Sequence, residues 1–108
     1  MKVSLLQESQ VSEYVKNWLG FSVEEIKPSM IRRYRLATSH GVIVMSVEPR
    51  SVSGKIGIRS GDIIRQVNQL RIKNGKDFKK AIVKAAGRDT VLVLVQRGQD
   101  GYYVTLEP

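Results

Sequence analysis

Two runs rich in β-branched residues, separated by one helical pattern, constrain the fold of this chain most. Residues 41–47 (GVIVMSV) and residues 90–95 (TVLVLV) have the composition of strands. The second run is almost continuously apolar, which predicts a strand that is buried on both faces. Between the two runs, apolar residues recur at the spacing of one helical face: Phe78, Ala81, Ile82 and Ala85. The order predicts an α+β domain.

Shorter segments complete this domain. The apolar stripe of residues 11–19 predicts a helix, and residues 29–36 predict a second one after a proline. Residues 62–67 predict a strand, and the turn at residues 97–101 predicts a terminal hairpin. Residues 2–6 alternate weakly and predict a short edge strand. The length of 108 residues fits a single domain.

The residue types present exclude several classes of chemistry. The chain has no cysteine, which removes disulfides, thiolate metal sites and cysteine nucleophiles. Its single histidine, His40, stands at a loop–strand boundary and is predicted to be a surface residue. No serine has the context of an activated nucleophile, and no pair of carboxylates is suitably spaced. We therefore predict no catalytic residue, no metal and no cofactor. No apolar run has the length of a membrane span, and the first residues do not resemble a signal peptide.

The charge is strongly positive, with 18 Lys and Arg against 10 Asp and Glu. Most of the excess lies in residues 71–88, where Lys76, Lys80 and Lys84 form one stripe, and a second cluster lies in residues 32–35. Such a stripe is typical of a solvated helix face, and it also fits an anion-binding surface for nucleic acid or a membrane. Stacking aromatics and a glycine-rich phosphate loop are lacking, so we expect no nucleic acid partner.

Several short motifs occur together in one order. They are Gly41-Val42-Ile43-Val44, Val47-Glu48-Pro49, Gly57-Ile58, Gly61-Asp62-Ile63-Ile64, Val67-Asn68, the helix, and the run from Val91 to Gly98. This order resembles the PDZ domain of the bacterial HtrA/Deg type of periplasmic serine protease, as a C-terminal or second PDZ domain. The resemblance implies a partly open β-barrel or sandwich of five to six strands, capped by two or three helices. It places the PDZ domain at 18–108, after a strand and helical lead-in at 1–17.

The resemblance also implies a binding mode. PDZ domains capture an extended peptide, usually a free C-terminus, by adding it as a strand to a sheet edge. The positions that match the carboxylate loop and the edge strand of the family are Trp18, Leu19, Gly20, Phe21, Ser22, Val23 and Glu24. Glycine in this loop would let backbone N–H groups face the terminal carboxylate. Alternate side chains of the strand would line the pocket for the last apolar ligand residue.

The helix of residues 76–86 would form the other wall of this groove. By the resemblance, Ile82 would lie at the floor of the pocket and Lys79 would flank the ligand further upstream. From their charge, Lys79, Lys76 and Lys80 would favour acidic ligand residues there. Trp18 departs from the glycine that is usual at the first position of the loop. Its place at the end of a helical stripe also fits a core residue, and both interpretations stay open.

Function follows from the same resemblance. The chain would be a non-catalytic peptide-binding domain of a trypsin-like serine endopeptidase, a hydrolase of periplasmic protein quality control. It would bind C-termini or extended segments of unfolded proteins, act with the protease domain of the same parent chain, and join a homo-oligomer. A second hypothesis is an assembly module whose groove is filled by residues 1–18 or by a neighbouring subunit. A third is the basic anion-binding module.

Overall fold

The structure is a computed structural model that describes residues 6–107. The strands are β1 (Phe21–Glu25), β2 (Val42–Val47), β3 (Ile63–Val67), β4 (Leu70–Arg71), β5 (Val91–Arg97) and β6 (Asp100–Leu106). The α-helices are α1 (Val11–Tyr14), α2 (Pro28–Arg33), α3 (Val52–Ile56) and α4 (Gly75–Ala85). A 3-10 turn (Glu8–Gln10) precedes α1 and a π-helical turn (Val15–Leu19) follows it. We call these three pieces together the N-terminal helical segment (residues 8–19). The edge strand expected at residues 2–6 falls almost wholly outside the described residues.

All the strands pair antiparallel in one sheet. Their order is β1-β2-β3-β5-β6, and β4 pairs with β3 beside this path. Within residues 6–107, strand β1 therefore forms one edge of the sheet and β6 the other. The predicted α+β class with five to six strands is confirmed. No helix in residues 6–107 is long and apolar enough to cross a membrane.

Helix α4 supplies much of the core. Its predicted apolar face is buried, with Phe78, Ala81, Ile82 and Ala85 at most 3% exposed. The side chain of Asn74 caps the helix by accepting a hydrogen bond from the Asp77 N–H at 2.9 Å. Val11, Val15 and Leu19 of the N-terminal helical segment join the same core cluster.

Strand β5 departs from its prediction. Val91, Val93 and Val95 are buried, but Leu92 is 39% exposed and Leu94 is only half-buried. The expectation of burial on both faces is wrong for this strand. Antiparallel sheets commonly pack one face and leave the other to solvent, and the leucines occupy the solvent side of β5.

A buried carboxylate ties the turn before β3 to the end of β5. Asp62 is 1% exposed, and both of its oxygens accept hydrogen bonds from Arg97, from Nε and from Nη2, each at 2.7 Å. The Arg59 N–H adds a third bond to Asp62, and Arg97 Nη2 also donates to the Gly57 carbonyl oxygen at 2.8 Å. The hydrogen bond with Asp62 raises the pKa of Arg97 above its usual value.

Candidate functional site

A groove of about 560 Å³ lies between edge strand β1 and helix α4. We call it the β1–α4 groove. Three parts of the fold line it: the sheet, helix α4 and the N-terminal helical segment. The sheet gives Phe21, Ser22, Val23, Glu24, Glu25 and Val42. Helix α4 gives Gly75, Lys76, Phe78 and Lys79, and the N-terminal helical segment gives Glu8, Val11, Ser12 and Val15. The groove thus has three walls, two of which match those expected from the sequence.

Among residues 6–107, strand β1 pairs only with β2, so its other side carries backbone groups without a strand partner in this part of the chain. An irregularity in the pairing falls between Ser22 and Val23, and the hydroxyls of Ser22 and Ser46 share a hydrogen bond of 2.7 Å beside it. The rings of Phe21 and Phe78 lie 6.4 Å apart at a tilt of 55°, which gives the groove an apolar base. Such an edge is a template for an added strand.

The groove brings together many of the side chains that the sequence singled out. They are Phe21, Ser22, Val23 and Glu24 on β1, with Lys76 and Lys79 on α4. The lysines are exposed, whereas Phe21 is 2% exposed and Val23 is half-buried. The two expected apolar positions of β1 therefore face the same groove as the two lysines.

Other candidate residues lie elsewhere. Leu19 and Ile82 are 1% and 2% exposed within the core, and neither lines the groove. Phe78, one helical turn before Ile82 on α4, lines the groove instead. Lys80 is exposed outside the groove.

Trp18 is 60% exposed, so its interpretation as a core residue is wrong. The cause is the π-helical turn that contains it. The wider turn keeps Val15 and Leu19 on the buried face and rotates Trp18, which precedes Leu19, outward. The side chain of Trp18 does not line the β1–α4 groove.

Gly20 ends the N-terminal helical segment in a left-handed conformation with φ of +91°. Its N–H donates to the Val15 carbonyl oxygen at 2.7 Å, and its carbonyl oxygen accepts from the Glu48 N–H at 2.7 Å. A Cβ atom at this position would lie 1.9 Å from Cβ of Ser51. Glycine is therefore required by both dihedral and packing, and a carboxylate that reached the Gly20 N–H would compete with Val15.

Two ends of the groove involve residues that the sequence did not single out. At one end Val11 and Val15 line it, which fits the hypothesis that residues 1–18 fill part of the groove, although these two side chains were expected only on a helical face. At the other end the Glu25 Oε1 atom accepts a hydrogen bond from the Gly75 N–H at 3.0 Å. This contact links β1 to the amino end of α4 directly.

The groove has a mixed charge pattern. Lys76 and Lys79 stand on the α4 side, while Glu8, Glu24 and Glu25 stand on the other walls. Within residues 6–107 no group of three or more His, Cys, Asp or Glu could hold a metal ion. The groove thus offers a strand edge, apolar side chains and scattered charges of both signs.

Comparison with known proteins identifies the class of domain. Residues 18–107 match the family described as "PDZ domain", and the chain belongs to that family. Its relatives are serine proteases. "Serine protease HTRA3" of Rattus norvegicus is 28% identical over 112 residues, which cover 98% of this chain and 24% of the relative. "Probable periplasmic serine endoprotease DegP-like" of Chlamydia pneumoniae is 26% identical, over 83% of this chain and 18% of the relative. The chain thus spans about a quarter or less of these relatives.

Solved structures agree. The crystal structure of the HtrA3 PDZ domain bound to a phage-derived ligand (FGRWV) is 29% identical and has a TM-score of 0.69, with 83% of this chain and 82% of that chain covered. The HtrA-type protease AlgW with decapeptide is 18% identical and has a TM-score of 0.72, with 92% and 33% covered, and supports the fold alone. The predicted resemblance to PDZ domains of HtrA-type proteases is confirmed. The match is to an accessory domain of these proteases and not to their catalytic domain.

Proposed function

We propose that this domain captures extended peptides with an apolar C-terminus by adding them as a strand to β1. The position of β1 carries the proposal, because it is an edge strand that faces an apolar-based groove whose opposite wall is helix α4. Main-chain hydrogen bonds from β1 would supply affinity, and the groove would select alternate ligand side chains.

The apolar end of the ligand fits the chemistry of this groove. Phe21, Val23 and Phe78 offer carbon surface to a terminal aliphatic side chain. The related HtrA3 PDZ domain was solved with a ligand whose sequence, FGRWV, ends in valine. We extend that preference to this chain. The terminal carboxylate would lie near residues Trp18, Leu19 and Gly20, and Lys79 and Lys76, with Lys80 beyond them, would favour acidic ligand residues upstream.

In its parent protein the domain would deliver substrates to a trypsin-like serine endopeptidase or regulate it. The ligands would be C-termini or extended segments of unfolded proteins. The location would be the periplasm, because the DegP-like relatives are named as periplasmic proteases. Binding can regulate a protease only if the ligand prefers one of two protease states. The same proposal divides the chain into a lead-in at 1–17 and a PDZ domain at 18–108. It also includes assembly of the parent protein into a homo-oligomer.

A second candidate function is an assembly module whose own N-terminal helical segment fills part of the groove. The specific observation is that Val11, Ser12 and Val15 line the groove while Val15 accepts the hydrogen bond of the Gly20 N–H. In this candidate the segment occupies the end of the groove where a ligand carboxylate would bind, and contacts between subunits replace peptide capture.

An amide chemical-shift titration tests the first proposal. The labelled chain receives the peptide FGRWV as the free acid and, separately, as the C-terminal amide. We expect shifts in residues 19–24 and at Lys79 with the free acid, and much weaker ones with the amide, because the amide lacks the terminal charge. Absence of shifts with both peptides, together with a size that rises with protein concentration in sedimentation velocity, would favour the assembly module.

A pair of variants locates the ligand. Ser12 is exposed and lines the groove, whereas its neighbour Glu13 is equally exposed and does not. Ser12→Tyr should weaken binding of the free acid by about tenfold or more, since a bulky side chain enters the groove, and Glu13→Tyr should leave it within about twofold. Equal affinities for the two variants would place the ligand away from the N-terminal helical segment.

A further inference from the structure

A second concave site lies on the solvent face of the sheet. It is a recess of about 450 Å³ lined by Arg65, Gln66, Arg71, Leu94, Gln96, Gln99, Gly101 and Tyr103. We call it the Arg65–Arg71 recess. It shares no lining residue with the β1–α4 groove. A ligand in the recess would therefore touch none of the side chains assigned to peptide capture.

A β-bulge aims Arg65 into this recess. In the pairing of β3 with β5, Ile64 stands opposite Val95 and Gln66 stands opposite Leu94, so Arg65 is an extra residue in β3. Without the bulge, successive side chains would alternate between the two faces. With it, Arg65 and Gln66 both line the outer recess while Ile64 and Val67, at 0% and 1% exposure, stay in the core. Bulges are often found where a strand re-aims a functional side chain.

The guanidinium of Arg65 is held in position by its neighbours. Its Nη1 donates to Oε1 of Gln96, and Nε2 of Gln96 donates to the Gly98 carbonyl oxygen at 2.9 Å. The Arg65 Nε atom is buried and makes no hydrogen bond with residues 6–107. Gly41 lets β3 approach closely beside it, since a Cβ there would lie 2.7 Å from the Ile63 side chain and from the Ile64 carbonyl oxygen, and 3.3 Å from Cδ of Arg65. An arginine fixed in this way loses little further freedom when it binds an anion.

The recess carries two positive charges and no negative one. Its lining contains no Asp or Glu. In the part of the chain that the structure describes, the one ion pair within 4.0 Å is that of Arg97 with Asp62, so Arg65 and Arg71 both lack a carboxylate partner there. Arg71 stands directly opposite Gln66 in the β3–β4 pair, beside the Arg65 side of the recess. The remaining polar lining, three glutamines and the Tyr103 hydroxyl, can donate hydrogen bonds as well.

We propose that the Arg65–Arg71 recess binds a side-chain carboxylate of an acidic protein segment. The terminal nitrogens of Arg65 that remain beside its bond to Gln96, together with the guanidinium of Arg71, can donate to the two oxygens of one carboxylate. Leu94 and Tyr103, which face each other across β5 and β6, offer carbon surface to the methylene groups that carry it. The recess offers two cations, whereas a nucleic acid backbone is bound by a longer row of cations and a single strand also by stacking aromatics, and Tyr103 is the single aromatic residue of the lining.

The test uses peptides that cannot occupy the β1–α4 groove through a free C-terminus. An acetylated and amidated peptide with the core Glu-Leu-Glu is compared with its Gln-Leu-Gln counterpart by chemical-shift titration of the chain, including the arginine Nε–Hε signals. We expect the Glu peptide alone to shift the signals of Arg65, Arg71 and Tyr103, with residues 21–24 unaffected. The affinity should fall as salt is raised.

Charge-matched variants complete the test. Arg65→Gln combined with Arg71→Gln should weaken binding of the Glu peptide at least about tenfold, since charge-assisted hydrogen bonds are lost. Arg32→Gln combined with Arg33→Gln removes the same charge from exposed positions on α2 and should change the affinity less than about twofold.

Three results would overturn the proposal: equal shifts with the Gln peptide, equal weakening by the two double variants, or shifts confined to the lysines of α4. Inorganic phosphate or a short DNA duplex that matched the Glu peptide at equal concentration would overturn the choice of a protein carboxylate. None of these results bears on peptide capture at β1, which the free-acid titration tests by itself.

Discussion

Replacing Gly20 with alanine tests whether packing against Ser51, and not only the backbone dihedral, demands glycine in the loop before β1. The added Cβ would meet Cβ of Ser51 at 1.9 Å and its Oγ at 2.1 Å, but Cα of Ser51 only at 3.4 Å. The clash is therefore with one removable side chain. The variant Ser51→Gly takes that side chain away and leaves an ordinary contact.

The expected energies follow from these distances. A non-glycine residue in the left-handed region costs about 1–2 kcal/mol, and forcing an extra methyl group into a filled space costs about 1–3 kcal/mol. Gly20→Ala alone should therefore destabilise the domain by about 2–5 kcal/mol. Ser51 caps helix α3 by accepting from the Gly54 N–H at 3.0 Å, and replacing such a cap by glycine costs at most about 1 kcal/mol. In the alanine background, however, Ser51→Gly relieves the clash.

The assay is equilibrium urea unfolding, followed by circular dichroism, of the parent, both single variants and the double variant. We expect Ser51→Gly to be mildly destabilising in the parent and stabilising in the Gly20→Ala background. The coupling between the two sites should be about 1–3 kcal/mol. Additivity within about 0.5 kcal/mol would refute the packing argument and leave the dihedral alone as the reason for glycine.

Three further predictions concern other parts of the domain. Arg97→Met should cost about 2 kcal/mol or more in urea unfolding, because it leaves the buried Asp62 carboxylate without its cation, whereas the exposed Arg88→Met should change stability by less than about 0.5 kcal/mol. Burial raises the pKa of Tyr102 above the ordinary 10.0, so the unfolded chain ionises first and stability falls as pH rises past that value. Tyr102→Phe should lose less stability between pH 8 and pH 11, and an unchanged loss would contradict this. On the proposed function, the bond from the Gly75 N–H to the Glu25 carboxylate closes one end of the groove. Glu25→Ala opens that end and should therefore raise the affinity of a ten-residue ligand more than that of a four-residue one. Equal changes for the two ligands in calorimetric titrations would contradict this.

Local patterns predicted the elements of the fold well. Helix α4 has a clean helical period and a cap, and β2 and β6 are bounded by turn residues, so each could be placed from its own segment. The pairing order could come only from the resemblance of the whole motif series. The exposure of Leu92 escaped prediction because a run of apolar residues does not reveal whether anything packs on its outer face.

The site was predictable on its strand side and not at its ends. Alternation indicated a strand at Phe21 and Val23, the resemblance to PDZ domains placed that strand at the groove, and both side chains line it. Val11 and Val15 line it too, but the contact of residues 8–14 with α4 joins positions more than sixty apart, which no local pattern encodes. The core interpretation of Trp18 was wrong because it assumed a regular α-helix, and the chain widens into a π-helical turn there.

The bulge in β3 has a consequence for how the length of this chain can vary. In a regular strand, removing one residue moves every later side chain to the opposite face. Here Arg65 is the residue of β3 without a partner in β5, although its carbonyl oxygen accepts a hydrogen bond from the Ile72 N–H at 2.9 Å. Ile64 and Val67 face the core, and Gln66 between them faces outward. A chain one residue shorter at this position would restore strict alternation with the same core side chains. A deletion of this one residue should therefore remove Arg65 from the Arg65–Arg71 recess and leave the core positions of β3 unchanged.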